Sequence, residues 1–152
     1  GRFRVGEASA EHVGRLSRIK LDPSALSLAL SGQPPLIKTE GGEVRWDEER
    51  GLYRLTLKDL GNALADTQVI FVLAGYFTPV EVLLYRGDRL EVRLLLADYT
   101  DDEPKLPQRM RFELPQESIR IEIKLKDYVL NPDLPSEAFE IKAPPGLTPE
   151  PI

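Results

Sequence analysis

From Glu43 onward, apolar and polar residues trade places at every second position. Val44 and Trp46 alternate with Glu43, Arg45 and Asp47; after a turn over residues 47–51, Tyr53, Leu55 and Leu57 alternate with Arg54, Thr56 and Lys58. A period of two belongs to a half-buried strand, so this stretch predicts a hairpin with one wet face. Further strands are predicted over 68–74, 78–86, 89–99, 108–114 and 118–126. Gly87-Asp88 supplies a two-residue connection of the primed-turn kind, and Pro115-Gln116-Glu117 joins the last two strands. The cleanest alternation comes last, with Ile119, Ile121, Ile123 and Leu125 on one face and Arg120, Glu122, Lys124 and Lys126 on the other. Strands joined by short links with no helix between them predict an antiparallel meander, its apolar face covered and its polar face in water.

The first forty residues read differently. Ala10, Val13 and Leu16 share a rough helical face interrupted by Gly14. In LDPSALSLALSGQPP, Asp22 is placed to cap a helix, Pro23 takes its first position, and Gly32 with Pro34-Pro35 ends it. That helix spans only about 13 Å at 1.5 Å per residue, too short to cover six strands spaced ~4.8 Å apart. Either the sheet curls on itself, or part of its cover is missing from this chain. Apolar residues on both faces of QVIFVLA add to the surplus of inward surface. Such a surplus calls for a large lid or an apolar ligand.

Composition narrows the choices. A 152-residue chain with 41% hydrophobic and 30% charged residues fits one globular domain with an ordinary core. The net charge of −5 argues against nucleic acid as a partner, since phosphate binding requires a clustered Lys/Arg surface. Arg2, Arg4, Arg15, Arg18 and Lys20 read as a solvated face. With no cysteine there is no disulfide, thiolate nucleophile or Cys-based metal site. No apolar run approaches the ~20 residues of a membrane helix, and no signal peptide is present. The chain opens on Gly1 rather than Met, which leaves room for an upstream signal or lipid anchor to have been removed.

Chemistry is sparse. His12 is the only histidine and reads as an exposed helix residue. Asp98, Asp101, Asp102 and Glu103 lack the spacing of a calcium loop and read as a solvated connection. The glycines form neither GxGxxG nor a P-loop. No catalytic group, metal or cofactor is expected. Trp46, Tyr53, Phe71, Tyr76, Phe77, Tyr85, Tyr99 and Phe112 have too few basic neighbours for base stacking, which leaves core packing or a hydrophobic pocket.

The final alternating strand, the Asn131-Pro132 turn, Leu134, a short strand containing Phe139 and the closing Pro144-Pro145-Gly146 resemble the end of LolA-like periplasmic lipoprotein carriers. The helix and Gly-x-Pro ending of residues 21–35, followed by a Trp-containing hairpin and a meander, are similar to LolB-like outer-membrane lipoproteins. The resemblance implies a mostly β fold, a curved, unclosed antiparallel half-barrel with short helices packed on its concave face. It also implies non-enzymatic binding of acyl chains or another hydrophobic ligand in the bacterial periplasm. The chain then counts as a single domain over residues 1–152 that lacks the family's N-terminal helix and first strands, with any lipid-attachment cysteine upstream of Gly1. The missing strands leave a sheet edge open to another chain, a second copy included. On this reading the apolar wall comprises Trp46, Tyr53, Leu55, Leu57, Phe71, Leu84, Leu94, Met110, Phe112, Ile121 and Ile123. The partner is a lipid acyl chain, a lipoprotein or an envelope protein. The alternative is an envelope scaffold domain that docks a protein through the same sheet.

Overall fold

The computed structural model describes residues 3–6, 27–28, 31–34, 36–37, 39, 41–59, 65–127, 129 and 132–151. Among these described residues nine strands follow in order: β1 (Phe3–Val5), β2 (Gly42–Asp47), β3 (Leu52–Lys58), β4 (Thr67–Leu73), β5 (Thr78–Arg86), β6 (Arg89–Tyr99), β7 (Pro107–Leu114), β8 (Ile119–Lys124) and β9 (Pro149–Pro151). The backbone divides into two compact units, Ser24–Lys126 and Gly1–Pro23 with Asp127–Ile152.

The larger unit holds the meander. Strands β2 to β8 pair antiparallel in sequence order, and β2 and β8 do not meet. The sheet is therefore unclosed, as expected for an open half-barrel. Residue pairing follows the alternation read from the sequence: Trp46 lies opposite Tyr53, Leu94 opposite Phe112, and Phe112 opposite Ile121. Register shifts at Phe71/Val72 and at Leu84/Tyr85 break the ladder on both sides of β5, and such irregularities increase local twist and bend a sheet. The Gly87-Asp88 hairpin has φ +57 at its first residue, as a primed turn requires.

The core lies on the apolar face over β4 to β7. Ile70, Val82, Leu84, Val92, Leu94, Leu96, Met110, Phe112 and Leu114 are all buried there. Gln68 is the polar intruder, and it is fully buried. Its side-chain Oε1 accepts the Ile37 N–H at 3.0 Å, so an otherwise costly buried amide ties a distant segment to the sheet. Of the described residues in the predicted helix over 23–31, Ser27 and Leu28 are helical and Ser31 lies in the turn that follows. Its end follows the expected glycine stop: Gly32 has φ +80, and Gln33 N–H donates to Leu28 C=O at 2.9 Å. A Cβ on Gly32 would also stand 2.3 Å from Pro107 Cδ, so backbone packs directly on the start of β7. The helix expected near 9–16, His12 and Asn131 lie outside the described residues.

In the smaller unit, β1 pairs in parallel with β9, Phe3 opposite Pro149 and Val5 opposite Pro151. The short strand expected around Phe139 is instead a 3-10 turn over Ser136–Phe139. Ala138 N–H donates to Pro135 C=O and Glu140 N–H to Glu137 C=O. These local bonds consume the donors that a strand would have offered to a neighbour. Gly146, at φ +83, completes the turn in which Leu147 N–H donates to Pro144 C=O at 3.1 Å.

Truncating the fully buried Met110 to Ala is expected to lower unfolding free energy by about 2–5 kcal/mol. Val44→Ala on the exposed edge strand should change it by less than about 1 kcal/mol. Urea unfolding curves with a shared slope check both values.

Candidate functional site

In-register antiparallel pairing carries side-chain parity from strand to strand, so the face of every wall residue can be followed across the sheet. Trp46, Tyr53, Leu55, Leu57, Leu84, Leu94, Met110, Phe112, Ile121 and Ile123 fall on one face. Phe71 does not. It lies opposite Arg54 and Glu81 on the other face, packed with Leu52 and Val69, and the Arg50 guanidinium sits 3.7 Å from its ring centroid. An apolar strand with two covered faces carries no alternation, so the order of residues does not assign Phe71 to a side.

The ten that share a face are not equally open. Met110 and Phe112 are 0% and 1% exposed, and Leu57, Leu84 and Leu94 are also buried. Leu55, Ile121 and Ile123 are half-buried. Toward β2 the face opens: Val44 is 63%, Trp46 49% and Tyr53 37% exposed. The Trp46 ring meets Tyr53 edge-on at 5.0 Å, and Tyr53 stacks on Phe77 at 6.3 Å, both within the range of favourable aromatic pairs.

Phe77 is held there by the backbone. The turn over residues 74–77 places Gly75 at φ +90 and Phe77 at φ +51. Glycine adopts that region freely, but a bulky side chain does so at a cost of about 1–3 kcal/mol. The strained turn leaves Tyr76 and Phe77 70% and 73% exposed. Phe77, Tyr76 and Val44 extend the wall beyond the eleven residues expected to form it. Two adjacent aromatics beside a glycine in a tight connection were the available signal, because turn positions ordinarily favour small polar residues.

Next to the aromatic rings is a cleft of about 210 Å³ lined by Tyr76, Phe77, Pro79, Tyr99, Glu103 and Lys105, among others. The Lys105 ammonium stands 5.1 Å from the Tyr76 ring centroid. The Tyr99 hydroxyl donates to the Pro79 carbonyl, tying the end of β6 to the start of β5. The open apolar surface is thus bordered by a cleft with one base and one acid.

The opposite face is less wet than alternation implied. Glu81 is buried there, its Oε1 2.6 Å from Arg93 Nε and its Oε2 2.6 Å from Arg50 Nη2. The Arg50 contact is an ion pair off the hydrogen-bonding direction, which leaves Oε2 without a hydrogen bond. Arg93 continues to Glu113 at 3.4 Å, and Glu113 to Arg120 at 3.2 Å. The hydrogen bond to Glu81 holds the Arg93 guanidinium above its ordinary value, against partial desolvation. This chain ties together β5, β6, β7 and β8.

Among the described residues no group of three or more His, Cys, Asp or Glu side chains is placed to hold a metal. Asp98 pairs with Arg109 at 3.0 Å, while Asp101, Asp102 and Glu103 are exposed on the loop before β7. Among the same residues no helix is long and apolar enough to cross a membrane.

The sheet is similar to a solved structure from Vibrio parahaemolyticus described as an outer membrane lipoprotein-sorting protein domain. The TM-score is 0.52 at 16% identity, over 72% of this chain and 56% of that chain. The likeness is one of fold. This chain spans little more than half the length of that domain. No protein-family profile and no curated protein matches the sequence.

Replacing Glu81 by Gln should lower stability by about 1–3 kcal/mol, since it removes the buried charge that two arginines share. Glu122→Gln, at a half-exposed pair 3.9 Å from Arg111, should change it by less than about 0.5 kcal/mol. Chemical denaturation of both variants checks the contrast.

Proposed function

We propose that this chain is a non-enzymatic, lipoprotein-carrier-like or receptor-like module of the bacterial periplasm that takes up an acyl chain or another hydrophobic ligand. The observation that carries this reading is the apolar face itself, sealed over β4 to β7 and open at β2 and β3, where Trp46, Tyr53 and Phe77 form a continuous run of rings. The lipoprotein-sorting description of the similar solved domain supports it. In this reading the three rings form the mouth. Leu55, Leu57, Leu84, Leu94, Met110, Phe112, Ile121 and Ile123 form the wall behind it, and Phe71 has no part.

Each buried methylene contributes about 0.8 kcal/mol before the costs of association. A chain of a dozen methylenes therefore has several kcal/mol to spare if even half of it enters. Aromatic rings suit such a mouth because they offer large, rigid contact area.

A second reading has its own support. Met110 and Phe112 are already covered by protein, so the open aromatic end is also suited to docking an envelope protein without any ligand entering the wall.

Trp46 is the only tryptophan in the chain, which makes its emission a direct report on the mouth. Titration with cis-parinaric acid is expected to quench that emission by saturable energy transfer. Tyr53→Ser with Phe77→Ser should weaken uptake about tenfold while the unfolding transition persists. Absence of saturable uptake by folded protein, or equal uptake by the double variant, overturns the ligand reading.

A further inference from the structure

Among the described residues β2 has a neighbour on one side only, β3, and it is exposed over nearly its whole length. An edge strand presents a row of unpaired N–H and C=O groups, and proteins ordinarily blunt such edges with proline, charged side chains, lysine above all, or a bulge. GEVRWD has no proline and no lysine, and it pairs with β3 in unbroken register through all six residues. Its charged side chains, Glu43, Arg45 and Asp47, turn away an arbitrary strand and leave the edge to one whose charges answer them.

We infer that the partner of this edge is the β2 strand of a second copy of the chain, paired antiparallel across a twofold axis at Val44. Residues directly opposite in an antiparallel pair lie on the same face. A twofold arrangement that keeps both apolar faces on one side therefore has its axis through a residue, not between two. With the axis at Val44, Glu43 of each copy falls opposite Arg45 of the other. On the apolar side Val44 meets Val44, and each Trp46 falls opposite Gly42 of the other copy, whose lack of a side chain leaves room for the indole.

The neighbouring registers fail on charge. An axis at Arg45 sets Arg45 against Arg45 and Glu43 against Asp47; an axis at Glu43 sets Glu43 against Glu43. Like charges directly opposite are destabilising, and opposite charges or apolar pairs are favourable. Within one copy Glu43 and Arg45 already pair at 2.5 Å with both side chains more than half exposed. The register at Val44 turns this pair into a square of alternating charges. It also withdraws Val44 and Trp46, 63% and 49% exposed, from water.

Sedimentation equilibrium over a range of protein concentrations tests the pairing, with circular dichroism to confirm folding. The parent is expected to dimerise reversibly. Arg45→Glu should raise the dimer dissociation constant about tenfold, since it converts two favourable cross-strand pairs into repulsive ones. Adding Glu43→Arg to Arg45→Glu restores the complementarity with signs exchanged and should return the constant to near the parent value. The chain has no cysteine, so Val44→Cys introduces a unique thiol. Opposed Cα atoms in this geometry stand about 4.5–5.5 Å apart, within disulfide range. Mild oxidation should link Val44→Cys chains as dimers and leave Arg45→Cys chains unlinked. A monomer at every concentration, a failed rescue by the double exchange, or preferential linkage through position 45 overturns the inference.

Discussion

Parity carried from strand to strand by antiparallel pairing is the constraint on which this protein's organisation rests. Because opposed residues share a face, one apolar position on β2 commits its partner on β3, and the commitment passes through seven strands to Ile121 and Ile123 on β8. The result is a sheet with one continuous apolar surface. A surface of that extent must be covered, filled or offered to something else. The structure does all three along its length, with Ile37 anchored to Gln68, the packed centre around Met110 and Phe112, and the open ring cluster at Trp46.

The change from sealed to open has a local cause at the open end. A turn that places Phe77 at positive φ carries its ring to the stack on Tyr53 instead of into the core. Strain of this kind persists only where surrounding structure over-determines it. Here the Tyr99 hydroxyl clasps the Pro79 carbonyl just beyond the turn, and β4 and β5 fix both of its ends. The rings therefore sit on a braced platform rather than on a loose loop.

The polar face supplies the complementary rigidity. Glu81 stands between two arginines, and the linkage through Glu113 to Arg120 crosses four strands. Isolated surface ion pairs contribute little. A buried carboxylate at the centre of a network raises the stakes, because slipping the register by one residue would carry it to the apolar side. Charge on one face thus reinforces the register that apolar residues demand on the other.

Wherever one strand face is wet and the other dry, the sequence by itself determined the outcome. The period of two in residues 44–58 and 119–124 fixed the strands and which of their side chains share a face, because a pleated strand admits no other arrangement of that pattern. Gly32, Gly87-Asp88 and Pro145-Gly146 announced their turns through their own backbone preferences. Only the tertiary structure decided the side taken by Phe71, since a strand apolar on both faces gives no phase. It alone placed a 3-10 turn at Phe139, where local hydrogen bonds prevailed over an extended chain. It alone revealed which part of the apolar face is exposed. That depends on what packs across it from far along the chain and on one turn holding Phe77 outward, and neither leaves a periodic trace in the order of residues.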